Sequence, residues 1–514
     1  MRGDLLVRDA RLVPLGTTGE GTDAWADAPA GVVDVRIRDG VVAEIGPGLS
    51  RRGEAELAAS GRWVTPGWWD AHVHAEQWVR STTWLPMAGV VSAADACGRV
   101  AGALARRADA VDAPGPRRPL IGFGHRMAPW PAAPTVADLD AATGATPVVL
   151  IAGDVHSGWL NSAALAELGL PPRRDVLAED EWFTLFARLG ELPGADPTPA
   201  DWASACARLA AAGITGIVDF ELTDAWRAWP VRVASGLDAV RVRPAVYPHQ
   251  LDAVIAAGLR TGDPLGSSGL VRLGPLKVIA DGSMGTRTAW CCEPYAASPL
   301  DAAPAWCGAP NVAETDLVAL LSRAHAAGLS AAVHAIGDRA NQTALTAFAA
   351  TRARGSIEHA QLVQREDIPR FAALNVTASV QPLHLVDDRD AAEAVWPDRT
   401  DRLYPFRSLL DAGARLRLGS DAPVSPPDPA AAMAAAVRRS GDERPAWHSE
   451  QALTWGEALA ASVDGVRIAP GAPGDLVVLA GPWPPADDRS DPVVAATVCA
   501  GRVTWRAGGR GMIT

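Results

Sequence analysis

Six residues of this chain have the types and spacing to do metal chemistry together. Lys277 is the only lysine; the other 46 of the 47 basic residues are arginine. A guanidinium stays protonated, whereas a desolvated lysine can lose its proton and become a nucleophile or a modified ligand. Lys277 lies in the apolar run GPLKVIADGS, where a solvated surface charge is not expected. Composition alone leaves two readings open, a buried ion pair or a chemical role. The histidines bear on that choice. His72 and His74 form an HxH pair after VTPGWWDA, His334 follows SAAV, His359 follows SIE, and Asp421 closes RLRLGSD. In an extended backbone alternate residues point to one side, so HxH presents two imidazoles together. Imidazoles with carboxylates and no cysteine suit zinc, iron or manganese, with positions left open for water. One histidine in an apolar strand is more often a core residue; the ordered set is what points to a metal site.

The elements that must position these residues alternate along the chain. Strands are expected near 64–72, 214–220, 240–247, 273–281, 330–335, 355–359, 375–381 and 415–421, with Ala/Leu-rich helical patterns between most of them. Eight strands each followed by a helix is the count of an α/β fold of the (β/α)8 TIM-type barrel, whose active sites lie at the C-terminal strand ends. The six residues fall on strands one, four, five, six and eight. Residues 78–198 are too long for one connection and read as an inserted subdomain of a barrel spanning 61–464. The ends, 1–60 and 465–514, carry alternating apolar patterns with Gly punctuation, including the RDG turn at 38–40. They are expected to assemble one composite antiparallel β-sandwich.

Bulk composition narrows the partners. A net charge of −12, with no basic cluster, argues against nucleic acid and anionic membranes. No signal peptide or run of membrane-spanning length is evident. The six cysteines show no CxxC spacing, and Cys291 and Cys292 are adjacent, which suits reduced thiols in the cytoplasm. The expected partner is a small-molecule substrate, with a homodimer left open.

The segments VTPGWWDAHVH, DVHSGWLNSAAL, LKVIADGSMGTRTA, VHAIGDRANQTAL, SIEHAQLV, SVQPLH and LGSDAPVSPPDP, with the tail GDLVVL, resemble the YtcJ-like (amidohydrolase-3) branch of the amidohydrolase superfamily. The resemblance implies a metal-dependent hydrolase cleaving a non-peptide C–N bond (amide, N-formyl, carbamate or cyclic amide) with a metal-activated water. It implies one or two divalent transition metals, zinc before iron or manganese. His72, His74 and Asp421 would hold the first, His334 and His359 the second, and Lys277, carboxylated by CO2, would bridge them. Asp421 would also serve as general base and then acid. His156, Asn161, Arg287, Gln381 and His384 are the expected substrate contacts, and Asp281 and Ser283, which follow Lys277 with Arg287, are expected either to order its loop or to bind a substrate anion. The segment GFGHRMAPW departs from the family pattern on the substrate side. A deaminase or other non-amide activity on the same scaffold is the alternative; a non-catalytic structural member, which would lack the ligands, is the remote one.

Overall fold

The computed structural model describes residues 3–15, 31–110, 118–125, 127, 130–152, 157–186, 188–192, 194–285, 287–296, 305–487 and 489–508. By contact density the chain divides into two compact units, one made of Met1–Ala75 with Cys206–Thr514, the other of Glu76–Ala205.

In the larger unit, strands from both ends of the chain share one eight-stranded sheet. Leu5–Leu12, Val33–Arg38, Val41–Gly46, Ala55–Ala58 and Trp63–Pro66 supply one part; Leu476–Leu479, Val494–Cys499 and Arg502–Arg506 supply the other. The two parts meet where Trp63–Pro66 runs antiparallel to Leu476–Leu479, with Pro66 opposite Leu476. Alternating apolar residues, among them Val35, Ile37, Val64, Leu476 and Val498, form its buried core. The hairpin at Asp39-Gly40 has positive φ at both residues, 49° and 72°. That is the two-residue turn whose twist matches the flanking strands.

The same unit holds eight parallel strands: Trp68–Val73, Ile214–Asp219, Arg241–Pro244, Leu276–Ile279, Ala331–Ala335, Gly355–His359, Val376–Val380 and Leu416–Leu418. The first three form one sheet and the remaining five another. Isolated parallel bridges link the two sheets at Val246–Leu276 and at Val73–Ala422. Helices such as Glu314–Ala326, Asp338–Thr351 and Pro382–Val395 follow the fourth, fifth and seventh strands. The segment expected as one strand at 64–72 is two. Proline has no N–H to continue a ladder, and a Cβ on Gly67 would lie 2.1 Å from Thr215 Oγ1. The chain breaks there, giving Trp63–Pro66 to the terminal sheet and Trp68–Val73 to the parallel set.

The unit Glu76–Ala205 contains a five-stranded sheet, ordered Leu85–Pro86, Leu120–His125, Val148–Ala152, Ser157–Leu160 and Leu177–Ala178. Its apolar residues, Trp159 and Trp182 among them, are buried within the unit.

Candidate metal centre

Five of the six expected ligands lie at or beside the C-terminal end of a parallel strand, and Lys277 is the second residue of the fourth, Leu276–Ile279. His72 is the fifth residue of the first strand and His74 follows its end; His334 and His359 are at the ends of the fifth and sixth. Asp421 lies just past the eighth. Two backbone bonds lock the first strand to the eighth: Asp421 N donates to His72 O at 2.7 Å and His74 N to Ala422 O at 2.8 Å. Two side chains at the site hold left-handed backbone, His359 at φ 73° and Asp421 at φ 58°. For a non-glycine residue this costs about 1–3 kcal/mol and persists only where the surroundings over-determine it.

The donor atoms converge. Asp421 Oδ1 is 3.4 Å from His72 Nε2 and 3.3 Å from His74 Nε2; its Oδ2 is 3.9 Å from His384 Nε2. His72, His74 and Asp421 form one set whose ligand atoms all lie within 4.8 Å of one another, and His359, His384 and Asp421 form a second. The His334 ring meets that of His359 edge-on at 4.5 Å, and its Nδ1 is 3.0 Å from Asp281 Oδ1. Lys277 is 2 % exposed, with Nζ 3.3 Å from His72 Nε2 and 4.2 Å from the centre of the Phe220 ring.

Protonation follows from burial. Burial, reinforced by Lys277, holds His72 well below its usual pKa, and burial with His334 does the same to His359. Both imidazoles are therefore neutral, the form that ligates metal. Burial pushes the Lys277 amine down to about 8, against the pull of Glu358 and Asp421. Burial opposes ionisation of Asp421, but the surrounding imidazoles outweigh it and hold the carboxyl well below the usual range.

Glu358 is the residue that sequence reasoning missed. Its buried carboxylate accepts from His72 Nδ1 at 2.9 Å and from the Ser356 hydroxyl. With the proton on Nδ1, His72 Nε2 carries a lone pair, with Lys277 Nζ at 3.3 Å and the Asp421 carboxylate at 3.4 Å. Nδ1 of His74, Nδ1 of His359 and Nε2 of His384 are also buried with no hydrogen-bond partner among the described residues. Buried polar atoms are rarely left so, and a divalent cation would give such imidazole nitrogens a partner. The residues present fit a metal.

Other buried acids brace the strand ends. Asp70 accepts from His72 N at 3.2 Å and Ser420 N at 2.9 Å, tying the first strand to the eighth, and burial pushes it up to about 6. Asp219 accepts from Ala75 N at 3.0 Å and Trp229 Nε1 at 2.6 Å. Asp281 accepts from Trp290 N, Ile336 N and Gly337 N at 2.9–3.1 Å, the loop-ordering one of its two expected roles.

The expected substrate contacts divide. His384 is buried, stacks on His359 at 6.1 Å, and belongs to the second donor set. Gln381 is buried, its amide donating to Ser379 O at 3.3 Å. Arg287 follows the fourth strand at φ 57°, and its carbonyl accepts from Trp306 Nε1. His156 lies outside the described residues. Asn161 corrects the expectation. It is fully buried and caps helix Ser162–Glu167, Oδ1 accepting from Val148 N and Ala164 N, Nδ2 donating to Thr143 and Thr146. No polar atom of its side chain is left for a substrate.

A mixed α/β fold with buried histidines and carboxylates at parallel strand ends is that of a hydrolase superfamily. The chain belongs to the Amidohydrolase family, whose model matches residues 55–505, and within it to the YtcJ-like branch. YtcJ of Bacillus subtilis (strain 168) is 30% identical over 230 residues, 41% of this chain and 42% of that one. Protein LONG AFTER FAR-RED 3 of Arabidopsis thaliana is 27% identical over 538 residues, 93% of this chain and 87% of its own. An N-substituted formamide deformylase of Arthrobacter pascens is 26% identical over 367 residues, 63% and 65% of the two chains. In fold, the chain is similar to an uncharacterized metal-dependent hydrolase from Pyrococcus horikoshii, with TM-score 0.76, 24% identity, and coverage of 93% of this chain and 98% of that one.

Proposed function

We propose that this amidohydrolase-family hydrolase is metal-dependent and cleaves a non-peptide C–N bond, of the amide, N-formyl, carbamate or cyclic amide class. The observation that carries the reading is the convergence on Asp421 of two buried donor sets, His72 with His74 and His359 with His384, in which His74 Nδ1, His359 Nδ1 and His384 Nε2 have no hydrogen-bond partner among the described residues. The eight parallel strands, linked between sheets at Val246–Leu276 and Val73–Ala422, are read as the (β/α)8 barrel of this superfamily. The relative that acts on an N-substituted formamide supports the C–N class.

His72, His74 and Asp421 would hold the first cation; His334 and His359, with His384 beside them, a second. A divalent metal here, zinc before iron or manganese, supplies Lewis acidity and brings the ionisation of water near neutrality. The protein's own groups do the rest. Glu358 holds His72 in one tautomer. The Lys277 amine, partly neutral because of its burial, can add CO2 with loss of a proton to give a carbamate, an anionic two-oxygen group that would serve as a metal ligand. Asp421, ionised and in hydrogen-bond reach of His74, accepts a proton at its carboxylate and returns it to the leaving amine.

Metal analysis of the zinc- or manganese-reconstituted protein, with an amide and formamide panel before and after chelation, tests this. One to two metals per chain and loss of hydrolysis on chelation are expected; a metal-free protein after reconstitution refutes it. Release of ammonia from amino-heterocycles, with the acyl panel inert, would instead establish the deaminase reading.

A further inference from the structure

The donor set occupies the C-terminal ends of the parallel strands. Toward the opposite ends of the same strands lies a separate cavity of about 380 Å³, the size of a small-metabolite site. Arg243, Arg272, Arg415 and Arg417 line it, and Glu358 is the one carboxylate in its wall. Glu358 already accepts from His72. Outside the wall, Asp464 pairs with both Arg243, at 2.5 Å, and Arg417, at 3.0 Å. Arg243 is further fixed by stacking on Trp69 at 4.2 Å. Arg272 is steered by a neutral carbonyl, donating to Gly262 O at 2.7 Å. Neither Arg272 nor Arg415 has a carboxylate within ion-pair distance among the described residues.

In a chain of net charge −12, four guanidinium groups around one cavity, two without counter-charge, is a local reversal of sign. Guanidinium is the side chain best matched to a planar two-oxygen contact with phosphate or carboxylate. The hydroxyl of Thr377 adds a neutral donor to the same wall, those of Ser356 and Ser330 being directed to Glu358 and Thr261. Two uncompensated cations match a dianion, and the volume leaves room for an organic group on it.

We propose that this cavity binds a phosphate-class dianion, at a site distinct from the metal centre. The ligand is either free phosphate or the phosphate of a small monoester, and one experiment separates them. The metal-loaded full chain is titrated calorimetrically with inorganic phosphate, and in parallel with glycerol phosphate, at an ionic strength fixed by chloride. Saturable binding is expected, weakened by about tenfold or more in Arg415→Met and in Arg272→Met, each with an unchanged near-ultraviolet dichroism spectrum. Both arginines are exposed, so neither side chain belongs to the packed core. Tighter binding of the ester assigns a phosphorylated metabolite; equal binding assigns phosphate itself. Absence of saturable heat overturns the proposal. So does binding that both substitutions leave unchanged, which is what an anion at the metals would give.

Discussion

The hydrogen bond from His72 Nδ1 to Glu358 makes a quantitative claim about metal affinity. Both side chains are 1% exposed and the contact is 2.9 Å, so it is a charge-assisted bond shielded from water, of about 1.5–3 kcal/mol. That energy selects the tautomer with Nε2 free for a cation, and it converts to about 10–100-fold in affinity. Glu358→Gln keeps the shape. Its amide oxygen can still accept from Nδ1 while its NH2 turns to the Ser356 oxygen, so the expected loss is at the lower end, about tenfold. Glu358→Ala leaves Nδ1 buried and unpaired and lets the proton move to Nε2, where it blocks coordination. The expected loss is then about 100-fold, with a stability cost of about 1–3 kcal/mol. Zinc competition against a chromophoric chelator measures the affinity, and nitrogen-15 shifts of the His72 ring report its tautomer. Glu358→Ala binding zinc within about twofold of the parent, in a folded protein, would refute the argument.

Three further outcomes follow from the same geometry. Lys277→Ala should lower metal content from about two to about one per chain, with acetate or propionate restoring part of the loss; unchanged content in the variant would exclude a bridging role. Because burial holds the folded Lys277 amine near 8 against 10.5 unfolded, the unfolded chain binds the extra proton between those values. The metal-free protein should therefore gain stability as pH rises from 8 toward 10.5. Urea midpoints across that range check this, and Lys277→Met should flatten the rise. Asn161→Ala should destabilise its unit by about 1–3 kcal/mol through the lost cap and unpaired amides, while leaving KM unchanged in the folded enzyme; a KM effect without a stability effect would return Asn161 to the substrate.

The strands that carry chemistry were legible because each couples an apolar run to a reactive residue at its end, as in SAAVH, SIEH and RLRLGSD. What stayed hidden was pairing across the fold. Glu358 reads in sequence as one more acid beside a histidine; its meaning comes from His72, 286 residues away. Asp70 likewise gains its role from Ser420. Two misreadings were local. The Pro66-Gly67 pair inside VTPGWWDAH marks a strand break, and Asn161 directly ahead of SAALAE is a helix cap by type and position. His384 stood in the sequence as a substrate contact, because nothing in SVQPLH shows that its helix turns the ring against His359.

The sheet built from both ends of the chain sets a constraint on biogenesis. Trp63–Pro66 emerges early from the ribosome, yet its antiparallel partner Leu476–Leu479 is translated on the order of tens of seconds later. Until then Leu5–Leu12 and its neighbours present an apolar face and an open strand edge, the features that recruit chaperones or seed aggregation. The metal ligands share this delay, since Asp421 reaches His72 only once the eighth parallel strand has been made. Nascent chains stalled before residue 476 should therefore be protease-sensitive from their first strands onward, and a premature stop there removes the whole enzyme rather than its tail.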